Sequence, residues 1–168
     1  MPSDDPRIDP PSGLAERATL ISFLDYLRET MIWKLQGLTD DQARRRPTEN
    51  GNSLLALVHH LAYVENWWFR VCFNGEPDPV PDNHDPDFDF KVPEEMTVAD
   101  VVGFYRSEIQ HSNEIVAAAP SLDQDSAIPA RSGHRTLRWI LVHMIEETAR
   151  HAGHADITRE MIDGSVGE

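Results

Sequence analysis

Leu137-Arg138-Trp139-Ile140-Leu141-Val142-His143-Met144-Ile145-Glu146-Glu147-Thr148-Ala149-Arg150-His151-Ala152-Gly153-His154-Ala155-Asp156 reads as one long amphipathic helix. Leu137, Ile140, Leu141, Met144, Thr148 and Ala155 recur at three- and four-residue steps, which is the period of a helix with one buried face. Thr136 offers an N-cap, and Ile162 carries the stripe to about Asp163. Glu147 and His151 are four residues apart and project from successive turns of the same face as Met144 and Thr148. A carboxylate and an imidazole directed at a core are costly unless something pairs with them.

Working outward, three further helices and no convincing strand emerge. A first helix is expected from about Gly13 to Gly37, with Leu20, Leu24, Leu27, Met31, Leu35 and Leu38 on one face. Thr39 then caps a short helix over Asp40–Arg46. A second helix is expected from Ser53 to about Phe73, capped by Asn52 or Ser53 and ended by Asn74-Gly75. Its stripe is Leu54, Leu57, Leu61, Val64, Trp68 and Val71. A third begins near Thr97, where Thr97-Val98-Ala99-Asp100 resembles a capping box, and stops at Pro120. Between the second and third helices, residues 74–96 hold five prolines and eight Asp or Glu against one lysine. That segment predicts a long acidic loop, with the character of a flap over one end. Residues 121–135 form another loop. The reading is all-α: an antiparallel four-helix bundle with long loops between helices 2–3 and 3–4. Residues 1–12 are expected to be a flexible arm and residues 13–168 a single domain.

Composition narrows the function. With 168 residues, 40% hydrophobic and 26% charged, the chain suits one soluble globular unit. No apolar run approaches the roughly 20 residues of a membrane span, and the first residues lack a signal peptide's pattern, so a cytoplasmic location is expected. The net charge of −14 argues against nucleic acid or anionic lipid as a partner. Arg44-Arg45-Arg46 is the one basic run, and it reads as a solvated helix end before Pro47. Cys72 is the only cysteine, which excludes an internal disulfide and a cysteine-based zinc site. Among Trp67, Trp68, Phe69 and Phe73 it reads as a buried hydrophobe. The 13 arginines against 2 lysines hint at a GC-rich bacterial genome.

The second helix supplies the adjacent pair His59-His60. His60 falls in line with Leu57, Val64 and Trp67, near the apolar face, whereas His59 lines up with the more polar Ala62, Tyr63, Asn66 and Arg70. His60, Glu147 and His151 are therefore the candidate metal ligands. Two histidines and one carboxylate with open positions suit a catalytic divalent ion; zinc is favoured, and nickel or iron also accept such a set. His143 and His154 are candidates for a fourth ligand or for supporting the ligands. Spacing alone leaves two other readings open: a Glu–His pair that is only a surface hydrogen bond, and a histidine satisfied within the core. Arg138, Arg150 and Trp67 are candidate substrate contacts, and Arg131, Arg135, Trp68 and Trp139 lie nearby in sequence. For each arginine singly, a salt bridge to the many acidic residues competes with that role. Asp82, His84, Asp85, Asp87 and Asp89 invite a calcium reading, but the loop lacks an EF-hand's glycine and terminal glutamate spacing.

Leu57-Val58-His59-His60-Leu61-Ala62-Tyr63-Val64-Glu65-Asn66-Trp67-Trp68 resembles the DinB-like metal-binding bundle superfamily, as does the run from Leu137 to Asp156. The second run is similar to the DUF664 branch, close to actinobacterial mycothiol-dependent transferases and maleylpyruvate isomerases. The resemblance extends from about Leu14 to Gly164. It implies one divalent metal on His60, Glu147 and His151, with Glu147 in the position where many members have histidine. It also implies mycothiol, or another low-molecular-weight thiol, as co-substrate, deprotonated by the metal for attack on a small electrophile. A metal-dependent hydrolase and a non-catalytic metal-binding stress or interaction protein are the alternatives. A homodimer is compatible with the sequence, although no residue demands one.

Overall fold

The computed structural model describes residues 7–49, 51–80 and 85–166. Residues 1–6 of the expected arm, and Asp82 and His84 of the acidic loop, lie outside the described residues. The fold is all-α, as expected: α1 (Glu16–Trp33), α2 (Asp40–Ala43), α3 (Leu54–Glu65), α4 (Val98–Ala118) and α5 (Leu137–Asp163). None of these helices is long and apolar enough to cross a membrane.

The helix starts follow from local chemistry. Thr39 and Gln42 close a capping box on α2, and Thr97 and Asp100 close another on α4. Ser53 Oγ accepts from the Ala56 amide at the head of α3, and Thr136 Oγ1 accepts from the Trp139 amide at the head of α5. Gly164, at φ 77°, adopts the left-handed conformation that ends α5.

The second helix does not remain an α-helix to Phe73. Its last part, Asn66–Phe73, widens into a π-helix, with the Asn74 amide donating to the Phe69 carbonyl at 3.0 Å. Widening rotates the faces relative to the α period. Phe69, Cys72 and Phe73 enter the core, while Trp67 and Trp68 are only half-buried.

Paired contacts fix the helix directions. Glu16 meets Arg138 at one end and Lys34 meets Asp156 at the other, so α1 and α5 run the same way. Arg17, at the start of α1, donates to the Val116 and Ala119 carbonyls at the end of α4, so these two helices are opposed. Leu54 shares a cluster with Val101, and Phe73 shares another with Val116, so α3 and α4 also run together. Two like-directed neighbours joined in sequence need a connection that returns along their length. Residues 74–97 provide it. This is the physical reason for the long acidic segment, which is a crossover packed on α3 through a 3-10 turn at Phe88–Phe90.

The apolar core has two parts. One contains Met31, Leu35, Leu54, Leu61, Val101, Tyr105 and Ala155; the other contains Leu24, Phe69, Phe73, Val116, Leu137 and Met144. Buried polar groups lie at the middle heights of the helices. Arg28 Nε and Nη2 each donate to Glu65 at 2.7 Å, and the Arg28 Nη1 donates to Asn113 at 2.9 Å. Asn66 and Arg70 both donate to Glu108. Burial pulls the Arg28 pKa down, but the Glu65 carboxylate outweighs it and holds the guanidinium charged.

Candidate metal centre

α3 and α5 bring His60, Glu147 and His151 together, with one candidate ligand atom from each lying within 4.8 Å of the others. His151 Nε2 is 3.2 Å from Glu147 Oε1, and His60 Nε2 is 3.5 Å from the same oxygen. The His60 and His151 rings meet edge to face with centroids 4.9 Å apart. All three residues are partly buried. His60 Nε2 is enclosed and has no hydrogen-bond partner, as is His151 Nδ1. Native structures rarely leave such atoms orphaned. A cation bound between the three residues would satisfy His60 Nε2 directly, so the donor set fits a divalent metal.

The His151 imidazole, hydrogen-bonded to Glu147, and then the nearby His60 imidazole hold the Glu147 carboxyl well below the usual carboxylate range, against the opposing effect of burial. Burial is the largest influence on His60 and lowers its pKa. Asp89 and Glu147 together outweigh it, so the net direction is upward. Asp89 Oδ2 lies 2.7 Å from His60 Nδ1. Among the described residues, neither Asp89 nor Glu147 has an ion pair with lysine or arginine. The local charge is thus two carboxylates facing imidazoles, which a dication would neutralise.

The other sequence candidates are placed as follows. His59 does not face a polar side: it is only 4% exposed, because Phe104 of α4 and Tyr63 pack against its ring. Its Nδ1 donates to the Asp89 carbonyl at 2.5 Å, which keeps it out of the cluster. His143 lies apart from the three, stacked on Trp139 and edge-on to Trp68. His154 is exposed, with its ring 5.8 Å from that of His151, and is not among the converging ligands. Arg138 is engaged by Glu16 and Asp123 near the start of α5, and Arg150 pairs with Glu146 on the outer face. The structure does not bring either arginine to the cluster. Arg135 lies over the Trp139 ring at 4.8 Å. Cys72 is buried, and burial pushes its thiol pKa up, as befits a core residue.

Two cavities flank the region. One of about 350 Å³ is lined by His151 and His154, with Leu57, Asn52, Ile157 and Met161. It touches the cluster directly. The other, of about 280 Å³, lies beside Asp89 and is walled by Tyr63, Trp67, Trp68 and Phe88. Trp67 therefore lines a cavity, although not the one bordered by a candidate ligand. Sequence reasoning missed Asp89 as a partner of the histidines. Its only signal was an aspartate between two aromatic residues in a segment without period.

The crystal structure of a conserved protein from Enterococcus faecalis has the same fold, with a TM-score of 0.70 at 17% identity, covering 91% of this chain and 100% of that one. Comparison with curated proteins found no match. The mycothiol-S-transferase family model matches residues 19–164, which include α3, the crossover and the whole of α5. With nearly all of its folded length matched, the chain belongs to the mycothiol-S-transferase family.

Proposed function

We propose that the protein is a metal-dependent thiol S-transferase of the mycothiol type, with His60, Glu147 and His151 as metal ligands. The observation that carries this reading is the convergence of those three side chains beside a cavity of about 350 Å³, in a chain of this family. A divalent ion bound there supplies the positive charge that keeps a thiol deprotonated at neutral pH. The residues of the chain do the rest. Glu147 stays anionic and contributes charge, while His60 and His151 contribute neutral nitrogen donors. Leu57, Ile157 and Met161 give the cavity an apolar wall for an electrophile, and His154 stands at its edge as a contact for the substrate. In the overall transfer the thiol proton leaves to solvent, a C–S bond forms at the electrophilic carbon, and any displaced group departs with its bonding pair. The partners in this reading are small molecules, and a reducing cytoplasm is where a free thiol co-substrate persists.

The test is conjugation of mycothiol, bacillithiol or glutathione to a fluorogenic alkyl halide by protein loaded in turn with zinc, nickel and iron(II). Thiol conjugate is expected with at least one pairing, and is expected to vanish in His151→Ala. No conjugate with any thiol would overturn the reading. Consumption of an ester or amide without thiol would favour a hydrolase.

A further inference from the structure

The crossover places two consecutive residues against the two adjacent histidines of α3. Asp89 Oδ2 is 2.7 Å from His60 Nδ1, and the Asp89 carbonyl accepts from His59 Nδ1 at 2.5 Å. Phe90 stacks on His60 with ring centroids 4.0 Å apart and planes inclined by 12°. The other carboxylate oxygen, Asp89 Oδ1, is enclosed and has no hydrogen-bond partner. We propose that Asp89 is the positioning residue of the metal centre, and that the metal and the Phe88–Phe90 turn stabilise one another through His60. The inference rests on the metal reading above.

An imidazole has two nitrogens, and the bond made by one decides what the other can do. With Nδ1–H donating to Asp89, His60 Nε2 keeps its lone pair, on the side where Glu147 and His151 lie. The carboxylate fixes this tautomer and raises the basicity of the donor. Phe90 fixes the plane of the ring. His59 secures the Asp89 peptide, which explains the histidine pair: one takes the main chain of residue 89 and the other takes its side chain. An enclosed carboxylate oxygen without a partner, such as Asp89 Oδ1, is unfavourable unless positive charge lies nearby. A dication on the far side of His60 provides that charge through the ring. Coupling of this kind is reciprocal, so whatever affinity the turn lends the metal, the metal returns as order in the turn.

The experiment measures Zn²⁺ affinity by competition with a chromophoric chelator, and Co²⁺ ligand-field spectra, on full-length wild type, Asp89→Ala, Asp89→Asn and His151→Ala. Affinity is expected to fall about 10–100-fold in Asp89→Ala. A smaller fall is expected in Asp89→Asn, whose amide oxygen still accepts from Nδ1–H, with a changed Co²⁺ band pattern in both. Hydrogen exchange at the Phe90 and Lys91 amides is expected to slow on adding Zn²⁺ to wild type, and not in His151→Ala. If Asp89→Ala binds Zn²⁺ as tightly as wild type while His151→Ala does not, the positioning role is wrong and the metal site stands. If both Asp89 variants lose affinity equally and also lose metal-free thermal stability, Asp89 is structural and the proposal fails. If wild type binds no Zn²⁺ or Co²⁺, the underlying metal reading itself falls.

Discussion

Glu147 and His60 respond to protons in opposite directions, and this gives the site a pH signature. Glu147 is held below the ordinary carboxylate range by His151 and His60, so it stays anionic under all ordinary conditions. Its stabilising contribution is present above the unfolded value and is lost only as pH falls through the depressed folded value. His60 is raised above 6.5 in the metal-free protein, because Asp89 and Glu147 outweigh burial. Its contribution to metal-free stability is complete below about 6.5 and disappears as pH rises through the raised folded value. A metal must displace that proton, so affinity should drop by about tenfold per pH unit for each proton displaced once pH falls below the folded value. The gain in melting temperature on adding zinc should therefore be larger near pH 8 than near pH 5.5. A gain independent of pH would mean that the metal displaces no proton from His60. At this scale the three-residue cluster was legible because Glu147 and His151 share a helical face, and His60 was picked over His59 correctly, although His59 is the more buried of the two and is kept out by its bond to Asp89. Asp89 was not legible, because it reaches His60 from 29 residues away in a segment whose conformation no period dictates.

The turn from α3 into its π-helical continuation is anchored by Glu65, which is fully buried against an Arg28 that is itself only 2% exposed. The bidentate geometry, with both distances at 2.7 Å, satisfies the guanidinium and the carboxylate together. Removing one partner leaves the other charged and enclosed. Glu65→Ala should therefore destabilise the fold by roughly 3–5 kcal/mol, read as a fall in urea midpoint of the metal-free protein. A joint Arg28→Met, Glu65→Leu replacement should recover most of that loss, since an apolar pair of similar volume leaves no orphaned charge. A double variant as unstable as Glu65→Ala would show that Asp25 and Asn113, the other partners of Arg28, carry the effect. The helices themselves were readable from the sequence, caps included, because Ser53, Thr97 and Thr136 announce their own hydrogen bonds. The ion pair was not, since Arg28 and Glu65 each look like ordinary polar residues on an amphipathic helix. The π register was not either, because apolar spacing does not specify which carbonyl a backbone amide selects.

Across the whole molecule, the parallel course of α3 and α4 turns a loop into part of the candidate site. A simple up-and-down order would have let the connection make a tight turn; the observed order brings its described residues Asp89 and Phe90 past His60. The far end of the connection is tied down by Arg44, which donates to the carbonyls of Val92, Pro93, Glu94 and Met96, the shortest at 2.6 Å. The expectation of a solvated arginine run thus holds for exposed Arg45 and Arg46 but not for Arg44. Hydrogen bonds from a charged donor are worth about 1.5–3 kcal/mol each when well made, and several here share one guanidinium near the surface. Arg44→Ala should therefore weaken the closed position of the crossover by about 2 kcal/mol, discounted for exposure, without touching His60, Glu147 or His151. Amide exchange should quicken from Phe88 to Met96, and Zn²⁺ affinity should fall several-fold because Asp89 spends less time on His60. Arg45→Ala, next to it on the exposed side, should change neither quantity. Faster exchange in Arg44→Ala with an unaltered Zn²⁺ affinity would show that the crossover is held at Asp89 independently of its anchor, and would confine the influence of Arg44 to the end of the loop.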